Sequence, residues 1–138
     1  MEWTYRSLDA KQSQKVRREF IHLLRAYGAS QSDFAAAELI CGELLANAIL
    51  YASGSIEMHL VWDDVQPILT VIDEGTGFVP NFGAPCDLQE GGRGMYIIST
   101  LSTKLSVDST KHGTEISATL PVWRSGRPFG PDEVLRQA

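Results

Sequence analysis

The feature that most constrains the fold is the apolar run PILTVID at residues 67–73 and the way in which it ends. A short run that is apolar on both faces is typical of a central β-strand. This run stops on an acid and continues as DEGTGF at 73–78. A hairpin needs only a dipeptide such as Asp-Gly and a second alternating strand, but here the next regular segment begins near Gly92. The strand therefore opens a long irregular stretch, of a kind that is usually functional or disordered.

Helical and strand patterns flank this central run. The predicted elements are, in chain order, a strand at 3–8, helices at 9–27 and 32–52, strands at 55–63 and 67–73, a helix at 92–102, and strands at 104–109 and 114–122. Apolar residues at helical spacing predict the helices, and alternation predicts most of the strands. This order predicts an α+β fold, a two-layer α/β sandwich in which a mixed sheet of about four or five strands carries about three helices on one face.

Length and composition are those of an ordinary globular domain. The 138 residues suffice for one hydrophobic core, and 43% apolar with 21% charged residues is typical of soluble proteins. We expect one domain at 1–122 and a tail at 123–138 that is punctuated by Gly and Pro. The net charge of −5 disfavours a nucleic-acid partner. The densest basic run, KVRR at 15–18, is interpreted as a solvated helix face.

The sequence shows no targeting or membrane-spanning pattern. Its start, MEWTYRSLDA, lacks the basic and apolar regions of a signal peptide. Its most apolar region, residues 34–52, is interrupted by two glutamates and an asparagine, which disfavours a span. Cys41 and Cys86 have no CxxC spacing and are interpreted as reduced thiols. We therefore expect a cytoplasmic protein that binds neither a membrane nor a nucleic acid.

A polar pair lies within the apolar second helix. Glu43 and Asn47 are four residues apart and project from the same face. Asn47 lies in LLANAIL, where packing favours hydrocarbon, and burying an unpartnered amide costs roughly 2–7 kcal/mol. The pair is either a polar stripe on an exposed helix edge or part of a functional site. The pair alone leaves both interpretations open.

Three glycine-containing motifs follow this helix. In DEGTGF, the carboxylate can accept a hydrogen bond from a ligand amino group, and the glycines let the backbone approach a flat ring; the alternative is a turn with an Asx bond. GGRGM at 91–95 precedes a helix, and free N–H groups at a helix N-terminus attract phosphate. HGTE at 112–115 is a hairpin turn or a functional strand start.

The order and spacing of these motifs resemble the GHKL ATPase family. The matching segments are ELLANA (43–48), DEGTGF (73–78), GGRGMYII (91–98) and GTEI (113–116). The similarity is greatest to the compact branch of that family, the anti-sigma factor serine kinases and related regulatory ATPases of bacteria. The resemblance covers residues 10–122 and implies the Bergerat type of ATP-binding fold.

The resemblance also implies a role for each matching residue. Glu43 would orient or deprotonate the attacking hydroxyl, and Asn47 would be the protein ligand to Mg²⁺, which retains waters and phosphate oxygens. Asp73 would accept from the adenine amino group. The other residues implied to contact ATP are Gly75, Gly77, Gly92, Arg93, Gly94, Met95 and Thr114. Among them, Arg93 would face the γ-phosphate, and residues 79–91 would form a lid over the nucleotide.

The sequence departs from the family pattern in two places. Tyr51 and Ala52 occupy the position at which the family often has a His-Ala pair after ExxxN. The predicted lid carries two prolines and Cys86, so its closure is an open question. The tail beyond Val122 has no counterpart that the resemblance assigns.

The length of the chain favours one branch of the family. Sensor histidine kinases need a further helical hairpin with the phosphoacceptor His, and the topoisomerase and chaperone relatives need a further domain. The hypothesis is an ATP-dependent protein serine/threonine kinase of a partner-switching system, which phosphorylates a small antagonist protein. The implied further partners are a second copy in a homodimer and, as an option, a sigma factor. The alternatives are a non-catalytic ATP/ADP-binding regulator and a structural domain without nucleotide.

Overall fold

A computed structural model describes residues 1–6, 8–51, 54–62, 65–75, 90–110 and 113–130. The helices are α1 (Ser13–Tyr27), which follows a 3-10 turn at Ala10–Gln12, α2 (Phe34–Tyr51) and α3 (Glu90–Leu101). The strands are β1 (Glu2–Tyr5), β2 (Ile56–Val61), β3 (Ile68–Glu74), β4 (Lys104–Thr110) and β5 (Gly113–Thr119). Each predicted helix and strand is present, with its ends shifted by a few residues. The fold is α+β with five strands and three helices, as predicted.

The five strands form one sheet in the order β1-β2-β3-β5-β4. Every neighbouring pair is antiparallel, so the sheet is not mixed as the sequence predicted. Two helices connect β1 to β2, and they return the chain to the end of the sheet at which β1 stops. The single-helix connection from β3 to β4 does make these two strands parallel, but β5 lies between them. The hairpin from β4 therefore inserts an antiparallel strand where a parallel pair was expected.

A single hydrophobic core lies between the sheet and the helices. Alternate residues of β2 are buried, as the clean alternation in that strand predicts. Helix α1 buries an apolar stripe that runs from Val16 through Phe20 to Tyr27. Helix α2 packs against α1, α3 and β3, which explains why it is apolar on most of its circumference. None of the described helices combines the length and apolarity that crossing a membrane requires.

Local capping explains the start of the 3-10 turn that leads into α1 and the start of α2. The Asp9 side chain accepts from the Gln12 amide and the Gln12 side chain accepts from the Asp9 amide, which forms a capping box. The Asp33 carboxylate accepts from the Ala36 amide at 3.0 Å at the start of α2. Helix α3 begins at Glu90, two residues earlier than predicted. Acidic residues favour the first turn of a helix because a negative charge is attracted to the positive end of the helix dipole.

Residues 123–130 pack against the body of the domain. The Phe129 ring lies 4.9 Å from the Tyr27 ring and 6.0 Å from the Trp62 ring. The Arg124 guanidinium lies over the Phe129 ring, 3.9 Å from its centroid. The first part of the predicted tail, residues 123–130, therefore contacts the domain. Residues 131–138 of the predicted tail lie outside the described residues.

Candidate functional site

Helix α2 carries the polar pair that the sequence singled out. Glu43 is half-buried, whereas Asn47 is only 5% exposed. The Asn47 Nδ2 group donates to the Met95 sulfur of α3 at 3.2 Å. No described residue donates to the Asn47 Oδ1 atom or to the Glu43 carboxylate. The pair is therefore not a solvated stripe, because one member is buried against another helix while its carbonyl oxygen stays available.

Gly94 allows α3 to approach this pair closely. A Cβ atom at residue 94 would lie 2.8 Å from Glu43 Oε2 and 3.3 Å from Asn47 Oδ1. Any larger residue would displace one or both polar side chains. The structure thus brings Glu43, Asn47, Gly94 and Met95 together at one α2–α3 contact, in agreement with the grouping that the sequence predicted.

Asp73 and Thr114 form a second polar group where two interior strands of the sheet, β3 and β5, pair near their ends. They are direct partners in the antiparallel pairing of β3 with β5. Asp73 is 6% exposed and Thr114 2% exposed. Burial raises the pKa of the Asp73 carboxyl above its ordinary value, and the hydrogen bond from the Thr114 backbone N–H opposes that shift. No described side chain donates to Asp73, so the carboxyl retains capacity to accept from a ligand.

The structure explains the glycine before Thr114. A Cβ atom at Gly113 would collide with the backbone carbonyl oxygen of Asp73. Gly113 therefore allows β5 to lie close enough to β3 for the Thr114 amide to reach the Asp73 carboxyl. Gly113 belongs to the GTEI motif, but the motif alone predicts no role for this glycine. A glycine at the start of a strand is the signal that could have indicated the close approach.

Several predicted site residues fall at or beyond the limits of the described chain. Gly75 is a bend directly after β3. Gly92 and Gly94 lie inside the first turns of α3, rather than before it, because that helix begins at Glu90. Gly77, Cys86 and residues 79–89 of the predicted lid lie outside the described residues, and the structure does not describe the side chain of Arg93.

Among the polar groups of this site, one can serve as a protein ligand to a hard cation such as Mg²⁺. In the described part of the chain, no three His, Cys, Asp or Glu side chains are grouped as a metal site. The Asn47 Oδ1 atom is a neutral oxygen of the kind that Mg²⁺ accepts, with phosphate and water as its other ligands. Asn47 therefore fits a metal that arrives with a nucleotide, rather than one held by a protein cage.

Sequence reasoning missed Arg17, which lies beside this site. KVRR was interpreted as a solvated face, but Arg17 is half-buried. A Cβ atom at Gly42 would lie 3.1 Å from the Arg17 guanidinium carbon. Glycine inside a helix costs about 1 kcal/mol relative to alanine. Gly42, directly before Glu43, was the available signal that a neighbouring group approaches α2 there.

Two comparisons relate this chain to known proteins. The sequence profile described as "Histidine kinase-like ATPase domain" matches residues 7–120. No curated protein matches significantly. The solved structures that are similar include the histidine kinase domain from the Erythrobacter litoralis EL346 blue-light activated histidine kinase, at 20% identity and a TM-score of 0.48. The aligned region covers 81% of this chain and 64% of that domain.

Proposed function

This chain belongs to the histidine kinase-like ATPase domain family, an ATP-binding, kinase-like domain, and we propose that it is an ATP-dependent protein serine/threonine kinase of the anti-sigma factor type. Its proposed substrate is a small antagonist protein of a bacterial partner-switching system. The proposed setting is the cytoplasm, with a homodimer as the working form and a sigma factor as an optional second partner. The family match supports nucleotide binding and kinase-like activity, and the class of acceptor is the proposal.

One observation carries the choice of a kinase, namely the position of Glu43. Its carboxylate lies one helical turn from Asn47, is partly open to solvent, and has no hydrogen-bond or ion-pair partner among the described residues. Binding a nucleotide does not require a carboxylate there, since it would repel the phosphates. A carboxylate beside the metal ligand is what a transferring enzyme needs, because phosphoryl transfer depends on a positioned acceptor hydroxyl.

Each residue of the site would have a separate role in phosphoryl transfer. Asn47 would hold Mg²⁺ through Oδ1, and the bound ion would neutralise phosphate charge during transfer. Glu43 would accept a hydrogen bond from the acceptor Ser or Thr hydroxyl and take its proton. The backbone at the start of α3, up to Gly92, would present its free N–H groups to the phosphates, and Arg93 would face the terminal one. Gly94 lies within the helix and would instead keep α3 close to Glu43 and Asn47.

Asp73 would select the base. A buried carboxyl with free acceptor capacity fits the exocyclic amino group of adenine. Guanine presents an acceptor oxygen at the same position, so we expect GTP to bind poorly. Gly75 and Gly77 would let the backbone pass close to the adenine ring. The Thr114 backbone N–H would hold the Asp73 carboxyl in place through its hydrogen bond.

The direct test is incubation with γ-labelled ATP, Mg²⁺ and a purified small antagonist-like protein of the partner-switching type. The proposal predicts label on a serine or threonine of that protein. If the chain binds ATP and holds the protein but never transfers label, it is the non-catalytic ATP/ADP-binding regulator instead. Absence of any ATP binding would contradict both functions.

A further inference from the structure

The helix-facing side of the sheet changes from apolar to polar toward the end at which Asp73 lies. Strands β3, β5 and β4 are neighbours, and their paired residues form rows across the sheet. On the helix-facing side, two consecutive rows contain apolar residues and the next row contains polar ones. The apolar rows are Leu69–Ala118–Leu105 and Val71–Ile116–Val107, and the row after them is Asp73–Thr114–Ser109. We call the last of these the polar row.

The polar row has one member that the proposed nucleotide site does not use. The two apolar rows belong to the hydrophobic core or pack against it. In the polar row, Asp73 and Thr114 are buried, whereas Ser109 is exposed on the edge strand β4. Burying polar groups costs free energy, and recognition of a base accounts for the two buried members. Ser109 continues the row toward β4, where that site gives it no role.

The Thr114 hydroxyl connects Ser109 to the base site. Among the described residues, its hydrogen-bond partner is the Ser109 hydroxyl, and the two oxygens are 3.5 Å apart. This distance is long for two hydroxyls, as is common for the hydrogen bonds of a site before its ligand binds. The Asp73 carboxyl accepts from the Thr114 backbone N–H, so the Thr114 hydroxyl is left for another group. Because a hydroxyl has one proton and two lone pairs, Thr114 can accept from Ser109 and still donate to a ligand.

From this geometry we propose that Ser109 is a positioning residue of the base site, and that it acts through Thr114. The Ser109 hydroxyl donates to Thr114 Oγ1, which directs the Thr114 proton toward a ring nitrogen that flanks the adenine amino group. The Thr114 hydroxyl reaches that nitrogen directly or through one water molecule, which supplies the same hydrogen-bonding chemistry. The polar row thus presents an acceptor at Asp73 beside a donor at Thr114, and adenine presents the complementary pair. This inference rests on the adenine site of the proposed function, but it does not depend on phosphoryl transfer.

The test removes hydroxyl groups from the two faces of β4. Ser109→Ala deletes the hydroxyl of the polar row and leaves the backbone pairing of β4 with β5 intact. Ser109→Thr restores a hydroxyl with a residue that suits a strand. Ser106→Ala is the matched control, because Ser106 is exposed on the same strand and faces the opposite side of the sheet. Circular dichroism and urea unfolding establish that each variant is folded, and calorimetry with ATP and Mg²⁺ gives the Kd.

We expect Ser109→Ala to raise the Kd for ATP about three- to tenfold, the usual contribution of one hydrogen bond. Ser106→Ala and Ser109→Thr should stay within about twofold of the parent. Because Ser109 acts through Thr114, adding Ser109→Ala to Thr114→Val should cause no further loss of affinity.

Two ATP analogues give a second measurement that does not depend on Thr114→Val being folded. In one analogue a C–H group replaces N1 of the base, and in the other a C–H group replaces N7. For the analogue that lacks the recognised nitrogen, the parent and Ser109→Ala should have the same Kd, whereas for the other analogue the difference seen with ATP should remain.

The possible outcomes separate the role of Ser109 from the proposed function. If Ser109→Ala binds ATP as tightly as the parent, the proposal is wrong. If it weakens ATP and both analogues equally, Ser109 supports the strand rather than the base site, which also contradicts the proposal. A parent that binds ATP but never transfers label would refute the kinase function, whereas a loss of affinity in Ser109→Ala that is specific to one ring nitrogen would still support the role of Ser109. A parent that binds no ATP would overturn both.

Discussion

At the scale of single residues, Asp73 shows how a site can oppose stability. Its carboxyl is buried at the end of a central strand, and the Thr114 amide offsets only part of the lost hydration. The raised pKa records this penalty on the charged form. Such an acid contributes little to the folded state without a ligand, but it provides a directional acceptor for one.

We predict that Asp73→Asn weakens ATP binding. The amide cannot reproduce both acceptor oxygens, so the adenine amino group loses its partner at a cost of about 1–3 kcal/mol. Isothermal calorimetry of the parent and the variant measures the difference. Equal ATP affinity in the two proteins would show that Asp73 does not contact the base.

The same substitution should make the ligand-free protein more stable near neutral pH. A carboxyl whose folded pKa is raised favours folding most at low pH, and its ionisation opposes folding as the pH rises above the ordinary value of 3.8. Asn carries no such penalty, so the Tm of Asp73→Asn should exceed that of the parent at pH 7. The difference should shrink as the pH falls toward 4. A difference that grows on acidification would contradict the raised pKa.

At the scale of elements, two glycines allow close contacts of different kinds. Gly94 brings α3 against the side-chain ends of Glu43 and Asn47, which can move aside. Gly113 brings β5 against the backbone carbonyl of Asp73, which cannot move without shifting β3. Gly94 therefore serves a contact with the side chains of the site, whereas Gly113 serves a contact between the backbones of two strands.

Alanine substitutions should distinguish these contacts. Gly113→Ala should destabilise the fold by about 1–3 kcal/mol, because overpacking against backbone forces a strand to shift. Gly94→Ala should leave stability near that of the parent, since alanine is the better helix former, but should lower phosphoryl transfer by displacing Glu43. Urea unfolding measures the first effect and the transfer assay the second. Unchanged transfer by a folded Gly94→Ala would exclude the α2–α3 contact from the site.

At the scale of the whole molecule, the segment 123–130 belongs to the folded unit. Phe129 packs on Tyr27 and Trp62, and the Tyr27 hydroxyl accepts from the Gly130 amide at 3.1 Å. We expect Phe129→Ala to lower the free energy of unfolding by about 1–3 kcal/mol without changing the Kd for ATP. Denaturant unfolding and calorimetry measure the two quantities. Stability equal to that of the parent would mean that this packing is not maintained in solution.

Sequence patterns predicted the helices and strands, and singled out Glu43, Asn47 and Asp73 as candidate site residues, for physical reasons. Strand alternation and helix spacing indicate the core directly, and Asn47 stands out because an amide is rare in an apolar helix. Other features depend on contacts between distant parts of the chain. The insertion of β5 beside β3 made the sheet antiparallel, and the packing of Arg17 over Gly42 joined two helices. A local sequence pattern, such as the glycine at residue 42, does not identify the distant residue or strand that makes the contact.

The measurement that tests the central claim most directly is phosphoryl transfer by Glu43→Gln. The amide keeps the size of the side chain and removes the base, so the Kd for ATP should stay near that of the parent. Transfer from labelled ATP to the antagonist-like protein should fall by about 10²–10⁴-fold, the usual contribution of a positioned acid or base. Transfer at the parental rate by Glu43→Gln, with ATP bound equally well, would contradict the catalytic role of this carboxylate.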